Sequence, residues 1–285
     1  MFLIVAILIF FLAGSWLGWS LARKGVTADN ALKRNQRQVY LIGCITLGAV
    51  TLISILMAYG RNSPWVPSFL LLYVGAYFWY AILLICFFCL GLLILMELPG
   101  WKDLRRFQQL IVFLAVSFLS ICFLLYQGLP ITDLVEAPRI SDGVVFQTTP
   151  YSCAAATIAT LVRKVNPHLK TTERDVVKIA GTSRLGTTTL AEIRAMEELG
   201  LEPQYERNLT IKDLSNRRQM AVLHVMEPVA GQRIQHAIAL FEIDLSKGNL
   251  VVANPLYGKQ IKTFEEMKDY WIGEAIFVTV SSNKN

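Results

Sequence analysis

The first 130 residues carry long apolar segments that are separated by short polar stretches. A helix needs about 20 apolar residues to cross a bilayer, and four segments meet this length: Phe2–Ala22, Val39–Tyr59, Phe69–Met96 and Gln109–Gln127. The third is the longest, so we expect it to tilt, to kink or to extend beyond the hydrocarbon. The pattern predicts a four-span helical transmembrane domain over residues 1–130.

The pattern changes after Gly128-Leu129-Pro130, and residues 131–285 are expected to form a separate extramembrane domain. Amphipathic stretches with capping residues predict helices at Ser152–Lys164, Thr172–Ala180, Leu190–Leu199, Thr210–Asn216 and Thr263–Trp271. Runs rich in β-forming residues predict strands at Val144–Gln147, Met220–Met226, His236–Ile243, Leu250–Ala253 and Ala275–Val280. Helices first and strands afterwards indicate an α+β domain.

Composition and charge narrow the class of protein. The chain is 54% apolar and 17% charged, with a formal charge of +6. Residues 1–130 hold nine basic and three acidic residues, whereas residues 131–285 hold 18 of each. The whole positive excess therefore flanks the apolar segments and does not lie on a folded, groove-facing surface, which argues against nucleic-acid binding. A fully soluble protein is excluded as well.

The loop charges predict the orientation in the membrane. Basic residues number five in the loop after the first span, one after the second and three after the third: Arg23, Lys24, Lys33, Arg34, Arg37; Arg61; Lys102, Arg105, Arg106. The positive-inside rule then places loops one and three in the cytoplasm and both termini, with the C-terminal domain, outside. The first segment has no basic start and its charges follow it, so we expect an uncleaved span.

The spans themselves carry little that indicates transport. The first, second and fourth contain no charged residue, and Glu97 only ends the third, which argues against a transporter or channel. Cys86 and Cys89 have the spacing of a redox or metal motif, but they lie in an uninterrupted apolar helix without a nearby histidine or acid. We therefore interpret them as packing residues, and the four-span domain as an anchor in the lipid bilayer.

Candidate chemistry is concentrated around Cys153, the one cysteine among residues 131–285. Proteins in oxidising compartments usually keep cysteines in pairs, so a lone thiol there invites a functional interpretation beside the simpler one of a small buried residue. Cys153 lies at the expected start of a helix, where the helix dipole favours a thiolate. The sequence therefore predicts a lowered thiol pKa.

A nucleophilic cysteine also needs a base, a residue that orients the base and an oxyanion donor. His236 opens an apolar strand, Asn254 ends the next one, and Gln147 precedes the cysteine by six residues. These are the residue types of a papain-like site, in papain-like order. His168 is expected in a solvated loop and His224 as a satisfied core residue. The domain brings together too few ligands for a metal site, and we expect no cofactor.

Four segments resemble cysteine peptidase family 39, the bacteriocin-processing or double-glycine leader peptidases: FQTTPYSCAAATIATLVRK, GTTTLAEIRAMEELGLEPQYE, HAIALFEID and VVANPLYGKQIKTFEEMKDYWIG. The resemblance covers about residues 140–280. It implies a papain-like α+β fold, with Gln147 as oxyanion donor, Cys153 as nucleophile and His236 as general base. Asn254 falls where the family usually carries aspartate; a neutral amide still orients the imidazole but stabilises an imidazolium less well.

These observations predict a membrane-anchored cysteine endopeptidase that acts on an exported peptide or an envelope protein of a bacterial cell. Family members are often domains of ABC exporters, but this chain shows no Walker-type phosphate loop, so a separate peptide exporter is an expected partner. The alternative is a pseudopeptidase that binds exported peptides without cleaving them, for which the asparagine is the main argument.

Overall fold

The structure is a computed structural model that describes residues 2–27, 30, 36–60, 63, 65–98 and 104–280. The chain divides into two compact units, Met1–Arg61 with Tyr77–Gly128 and Asn62–Ala76 with Leu129–Asn285.

The first unit consists of long apolar helices, except that residues 68–76, at the start of the third helix, belong to the second unit. These are α1 (Phe2–Arg23), α2 (Gln36–Tyr59), α3 (Ser68–Glu97) and α4 (Leu104–Gly128). Among the described residues, all four are long and apolar enough to cross a membrane, which indicates a membrane protein. Each helix contains its predicted span and extends it by one to six residues in total. Of the residues counted for orientation, Lys33, Arg34, Arg61 and Lys102 lie outside the described residues.

Glycines allow α1 and α3 to approach closely. A Cβ built on Gly14 would lie 2.0 Å from the carbonyl oxygen of Phe88, and one on Gly18 would lie 2.2 Å from that of Leu92. Gly91 faces back from α3, where a Cβ would lie 2.3 Å from the Phe11 carbonyl oxygen. Gly14 and Gly18 thus form a G-x-x-x-G surface, a spacing that brings helix backbones together in lipid.

We expect Gly14→Ala or Gly18→Ala to separate α1 from α3. Overpacking of this kind should lower the free energy of unfolding by about 1–3 kcal/mol. The matched control is Gly43→Ala in α2, because a Cβ there meets nothing within 4 Å. Thermal unfolding of the full-length protein in detergent should show a lower midpoint for the first two variants and an unchanged midpoint for the control. Equal midpoints for all three would contradict the packing.

The second unit is an α+β domain, as predicted. Its described helices are α5 (Cys153–Val165), α6 (Glu173–Ala180), α7 (Thr189–Glu198), α8 (Ile211–Arg217) and α9 (Phe264–Tyr270). Its strands are β1 (Arg139–Ser141), β2 (Val144–Phe146), β3 (Leu201–Glu206), β4 (Ala221–Val229), β5 (Gln232–Asp244), β6 (Asn249–Asn254), β7 (Gly258–Thr263) and β8 (Trp271–Val280). β1 and β2 form a small antiparallel sheet, and the others form a six-stranded antiparallel sheet in the order β3-β8-β4-β5-β6-β7.

The large sheet has a hydrophobic core on each face. One core joins α5, α6 and α7 to a face that includes Ala237, Ala239 and Ala253. The other joins α8 and α9 to the face that includes Ile238 and Leu240. Successive side chains of β5 therefore pack into the two different cores, as the period of two in a strand requires.

The β4–β5 hairpin sets the register in the middle of the sheet. Val229 pairs with Gln232, so the loop has only two residues, and Ala230 and Gly231 both have positive φ (49° and 80°). This is the conformation whose twist matches that of paired strands. It sets His236 opposite Val225 and Ile234 opposite Glu227, so that Glu227 and His236 are diagonal neighbours on one face.

Several boundaries differ from those predicted. The strands at 139–141 and 258–263 were not predicted, since both are short and mostly polar, with exposed residues along them. The last helix ends at Tyr270, and Trp271 begins β8 instead of completing that helix. The extra length of β8 includes Gly273, which has φ +76° and lies where the pairing with β4 shifts register.

Candidate active site

Cys153 is the first residue of α5, as predicted, and packs against β5. Ala237, the residue after His236, lies close enough to Sγ for its backbone N–H to lower the thiol pKa. One turn further along α5, Thr157 Oγ1 donates to the Ala237 carbonyl at 2.9 Å. The helix start is therefore fastened to the strand beside the histidine. Among the described residues, no hydrogen bond joins Cys153 Sγ to the His236 ring.

The thiol pKa is the reverse of what the helix position predicted. Burial raises the pKa of the Cys153 thiol to about 11, and the negative charge of Glu192 adds to the increase. The N–H groups of Ala237, Ala154 and Cys153 itself lower the pKa, as a helix start should, but burial outweighs them. The resting cysteine is therefore a thiol.

The rate of Cys153 alkylation by iodoacetamide should consequently rise with pH to a midpoint of about 11. Peptide mapping by mass spectrometry follows this cysteine separately from the other four in the full-length protein. In urea the midpoint should return to about 8.5, the value of an exposed thiol. A midpoint below 8.5 in the folded protein would show that a thiolate exists at rest and would contradict the effect of burial.

His236 and Asn254 are brought together as predicted. Nε2 of His236 lies 3.0 Å from Oδ1 of Asn254, and both side chains are buried. Asn254 Oδ1 also accepts the backbone N–H of Leu256 at 2.9 Å, which fixes it as the acceptor. His236 Nε2 is therefore the donor, and Nδ1 is the ring nitrogen that can take up a proton. Burial lowers the pKa of His236, partly offset by Asn254 and by the charge of Glu227.

A buried carboxylate lies behind Asn254, and sequence reasoning missed it. Asn254 Nδ2 donates to Glu227 Oε2 at 2.8 Å, and the Tyr270 hydroxyl donates to the same oxygen. Oε2 therefore accepts from two donors. Glu227 is 4% exposed although it is a glutamate in a strand. The signal was present in the sequence, because Leu223, Val225 and Glu227 alternate along β4 and so share an apolar face.

The turn between Gln147 and Cys153 is held by a second buried carboxylate, Glu173 at the start of α6. It accepts the Thr148 N–H and the Thr148 hydroxyl, each at 2.9 Å, and also the Ser152 hydroxyl. Ser152 is at the N-cap position of α5, but its side chain does not cap the helix. Its hydroxyl donates to Glu173 instead, because a charged acceptor is the stronger partner.

Gln147 lies at the end of β2, close to the loop that follows Asn254. Its backbone N–H donates to the Pro255 carbonyl at 3.0 Å, and its Nε2 donates to the Thr149 carbonyl at 2.9 Å. One Nε2 proton therefore stays available. The buried Oε1 has no hydrogen-bond partner among the described residues.

His224 is buried between two carboxylates on the face of the sheet that packs against α7. Nε2 lies 2.9 Å from Glu192 Oε2 and Nδ1 lies 3.1 Å from Glu274 Oε2, so the expectation of a satisfied core residue is confirmed. Burial disfavours the imidazolium, but the two carboxylates outweigh it and raise the pKa of His224 to about 10. His168 is exposed, as expected.

A histidine whose pKa is raised from 6.5 to about 10 stabilises the fold fully below pH 6.5 and loses that contribution as the pH rises through 10. The midpoint of thermal unfolding of the wild-type protein should therefore exceed that of His224→Gln most at pH 6, and the gap should shrink by about 5 °C by pH 10. His168→Gln is the control and should follow the wild type. A gap that does not change with pH would show that His224 is neutral.

No group of three or more His, Cys, Asp or Glu side chains in the described part of the chain is arranged to hold a metal ion. The candidate site combines a cysteine at a helix start with a His–Asn pair on an α+β scaffold. This is the arrangement of a papain-like cysteine peptidase.

Comparison with known families agrees with this class. The Peptidase C39 family matches residues 141–283, half of the chain. The chain belongs to the Peptidase C39 family, whose members are cysteine peptidases, and the resemblance noted in the sequence is confirmed. No curated protein matches the chain.

Three solved structures that match are all peptidase domains. The peptidase domain of Streptococcus ComA, a bifunctional ABC transporter involved in a quorum-sensing pathway, is 19% identical, with a TM-score of 0.43, covering 48% of this chain and 98% of that one. A double-glycine motif protease from an AMS/PCAT transporter, in complex with the leader peptide, is 18% identical (TM-score 0.41, 51% and 100% covered). The C39-like domain of a toxin secretion ATP-binding protein from Vibrio parahaemolyticus is 16% identical (TM-score 0.38, 47% and 100%).

Proposed function

We propose that this protein is a membrane-anchored cysteine endopeptidase with Cys153 as nucleophile, His236 as general base, Asn254 as orienting residue and Gln147 as oxyanion donor. The observation that carries the proposal is the hydrogen bond from His236 to Asn254, at 3.0 Å. It lies on the strand to which Thr157 joins the helix that begins at Cys153. These residues lie within the segment that matches the peptidase family.

The raised thiol pKa and the lowered imidazole pKa imply that the resting pair is neutral. Nδ1 of His236 takes the thiol proton as Sγ attacks the peptide carbonyl carbon and forms the C–S bond. The tetrahedral intermediate then expels the amine, which receives the proton from His236, and a thioester remains. Water attacks the thioester with His236 again as base, and the products are a carboxylic acid and the thiol. Catalytic hydrogen bonds are often long before substrate binds, so Sγ and Nδ1 are expected to close on each other in the complex.

The oxyanion needs donors that are in place before the reaction. The backbone N–H of Cys153 is one, at the start of α5. The second is the Nε2 proton of Gln147 that is not used by the Thr149 carbonyl.

The membrane helices define where the peptidase works. We place the anchor in residues 1–130 and the peptidase in residues 131–285, with the peptidase on the extracytoplasmic side of a bacterial membrane, as the loop charges predict. Its substrate would be an exported peptide or an envelope protein. A related protease was solved with a leader peptide, and related domains belong to transporters, which supports a peptide substrate and a separate exporter as partner.

The second candidate function is a pseudopeptidase that captures peptides at the membrane. The observation in its favour is Asn254, since a neutral amide stabilises an imidazolium less than a carboxylate does. A binding domain has no need, however, for the fixed Nε2–H tautomer of His236 or for a thiol held at a helix start.

The direct test is cleavage of a proteome-derived peptide library by the full-length protein in detergent. Mass spectrometry should detect new peptide termini with the wild type, and Cys153→Ala should reduce their rate of appearance at least about 10³-fold, because no other nucleophile forms the thioester. His168→Gln is a control for the effect of a histidine substitution away from the site. Binding of peptides without new termini would identify the pseudopeptidase, and cleavage that persists in Cys153→Ala would exclude Cys153 as nucleophile.

A further inference from the structure

We propose that Glu227 is a positioning residue of the peptidase site, which supplies through the Asn254 amide the negative charge that stabilises the protonated form of His236. The proposal rests on the proposed function and extends it. It explains how the site can work with asparagine at the position where the family usually carries aspartate.

The geometry forms one continuous polar chain. His236 Nε2 donates to Asn254 Oδ1 at 3.0 Å, and Asn254 Nδ2 donates to Glu227 Oε2 at 2.8 Å. The amide is planar and conjugated, so a carboxylate that accepts from Nδ2 increases the electron density on Oδ1. Hydrogen bonds in such a chain polarise one another. Oδ1 therefore becomes a stronger acceptor for the imidazolium than the amide of an unpaired asparagine would be.

Burial makes the charge effective. Asn254 is fully buried, and His236 and Glu227 are 5% and 4% exposed, so little water screens the interaction. A charge this near in a protein interior shifts a protonation equilibrium by about tenfold or more. The negative charge of Glu227 indeed acts on His236 in the expected direction, since it raises the pKa that burial lowers.

The three residues of this arrangement come from three different strands. Glu227 is on β4, His236 on β5 and Asn254 on β6, and their common face is covered by α9. Tyr270 at the end of α9 donates its hydroxyl to Glu227 Oε2 and lies 3.3 Å from Asn254 Nδ2. Burial and the bond to Glu227 raise the pKa of Tyr270, so it stays a phenol and a donor.

Other charged or titratable groups lie near the hydrogen-bonded residues His236, Asn254 and Glu227. They do not reverse the effect of Glu227 on His236. The ammonium of Lys262 on β7 lies 4.9 Å from the centroid of the Tyr270 ring. Tyr257 is a minor cause of the raised pKa of Tyr270. The guanidinium of Arg233, on β5, donates to the backbone carbonyl of Asp269 in α9. Cys153 is also titratable, and it is the proton donor to His236 in the proposed reaction.

The test uses the peptide of the proteome-derived library that the full-length wild-type protein cleaves fastest, with kcat/KM measured against pH. The acid limb of this profile reports the protonation of His236 in the free enzyme. Glu227→Gln keeps the shape of the side chain but removes the charge. We expect kcat/KM at pH 7.5 to fall by about tenfold or more and the acid limb to move about one unit lower. A purely structural role would lower activity without moving the limb.

The negative charge can also be moved from position 227 to position 254. Asn254→Asp alone sets two carboxylates against each other and should be less active than the wild type. Asn254→Asp combined with Glu227→Gln leaves one carboxylate directly on His236, as the family pattern has it. We expect the double variant to be at least about tenfold more active than either single variant, with an acid limb at or above that of the wild type. This comparison with Asn254→Asp decides the question even if Glu227→Gln alone does not fold.

Glu274→Gln is the matched control, because Glu274 is another buried glutamate whose partner is His224 and not His236. It should lower thermal stability and leave the acid limb in place. An unmoved limb in Glu227→Gln, or a double variant no better than Asn254→Asp, would overturn the role of Glu227 while the wild type still cleaves. A wild type that cleaves no peptide would instead overturn the proposed function itself.

Discussion

The peptidase domain depends on a physical constraint, namely that a carboxylate taken out of water must find donors. Glu227 is buried in a strand, and its Oε2 accepts from Asn254 and Tyr270. These two bonds join β4, β6 and α9, and the same asparagine holds His236 on β5. Removing one donor leaves the buried charge unpaired. The resulting loss of folding free energy is much larger than the contribution of a single hydrogen bond. The site is therefore specified by the same contacts that fix this part of the fold.

The same principle recurs twice around the nucleophile. Glu173 fixes the turn between Gln147 and Cys153 by accepting from Thr148 and Ser152. Glu192 and Glu274 enclose His224, and the charge of Glu192 contributes to the raised pKa of the Cys153 thiol. A thiol in such surroundings is protected while no substrate is present. In the proposed mechanism it is activated by His236, whose protonated form we propose to be stabilised by the chain through Asn254 to Glu227.

Much of the fold and of the candidate site could be predicted from the sequence. The features that depend on burial or on strand pairing could not. Apolar length gave the four helices, and the residue types at 147, 153, 236 and 254 indicated the site, because each stands at the end of a predicted element. The thiol pKa was predicted with the wrong sign, since helix position is visible in a sequence but burial under β5 is not. Glu227 was missed because the predicted strand ended at Met226, one residue short. The short polar strand β7 was missed because it forms only by pairing with β6.

Trapping the thioester would show whether Cys153 acts as a nucleophile on a peptide carbonyl. The full-length protein would be mixed with the library peptide it cleaves fastest, quenched in acid, and mapped by mass spectrometry. We expect an acyl group on Cys153, of the mass of the N-terminal product, in the wild type and none in His236→Ala. Peptide cleavage without any acyl group on Cys153, or an acyl group that forms equally well without His236, would contradict it.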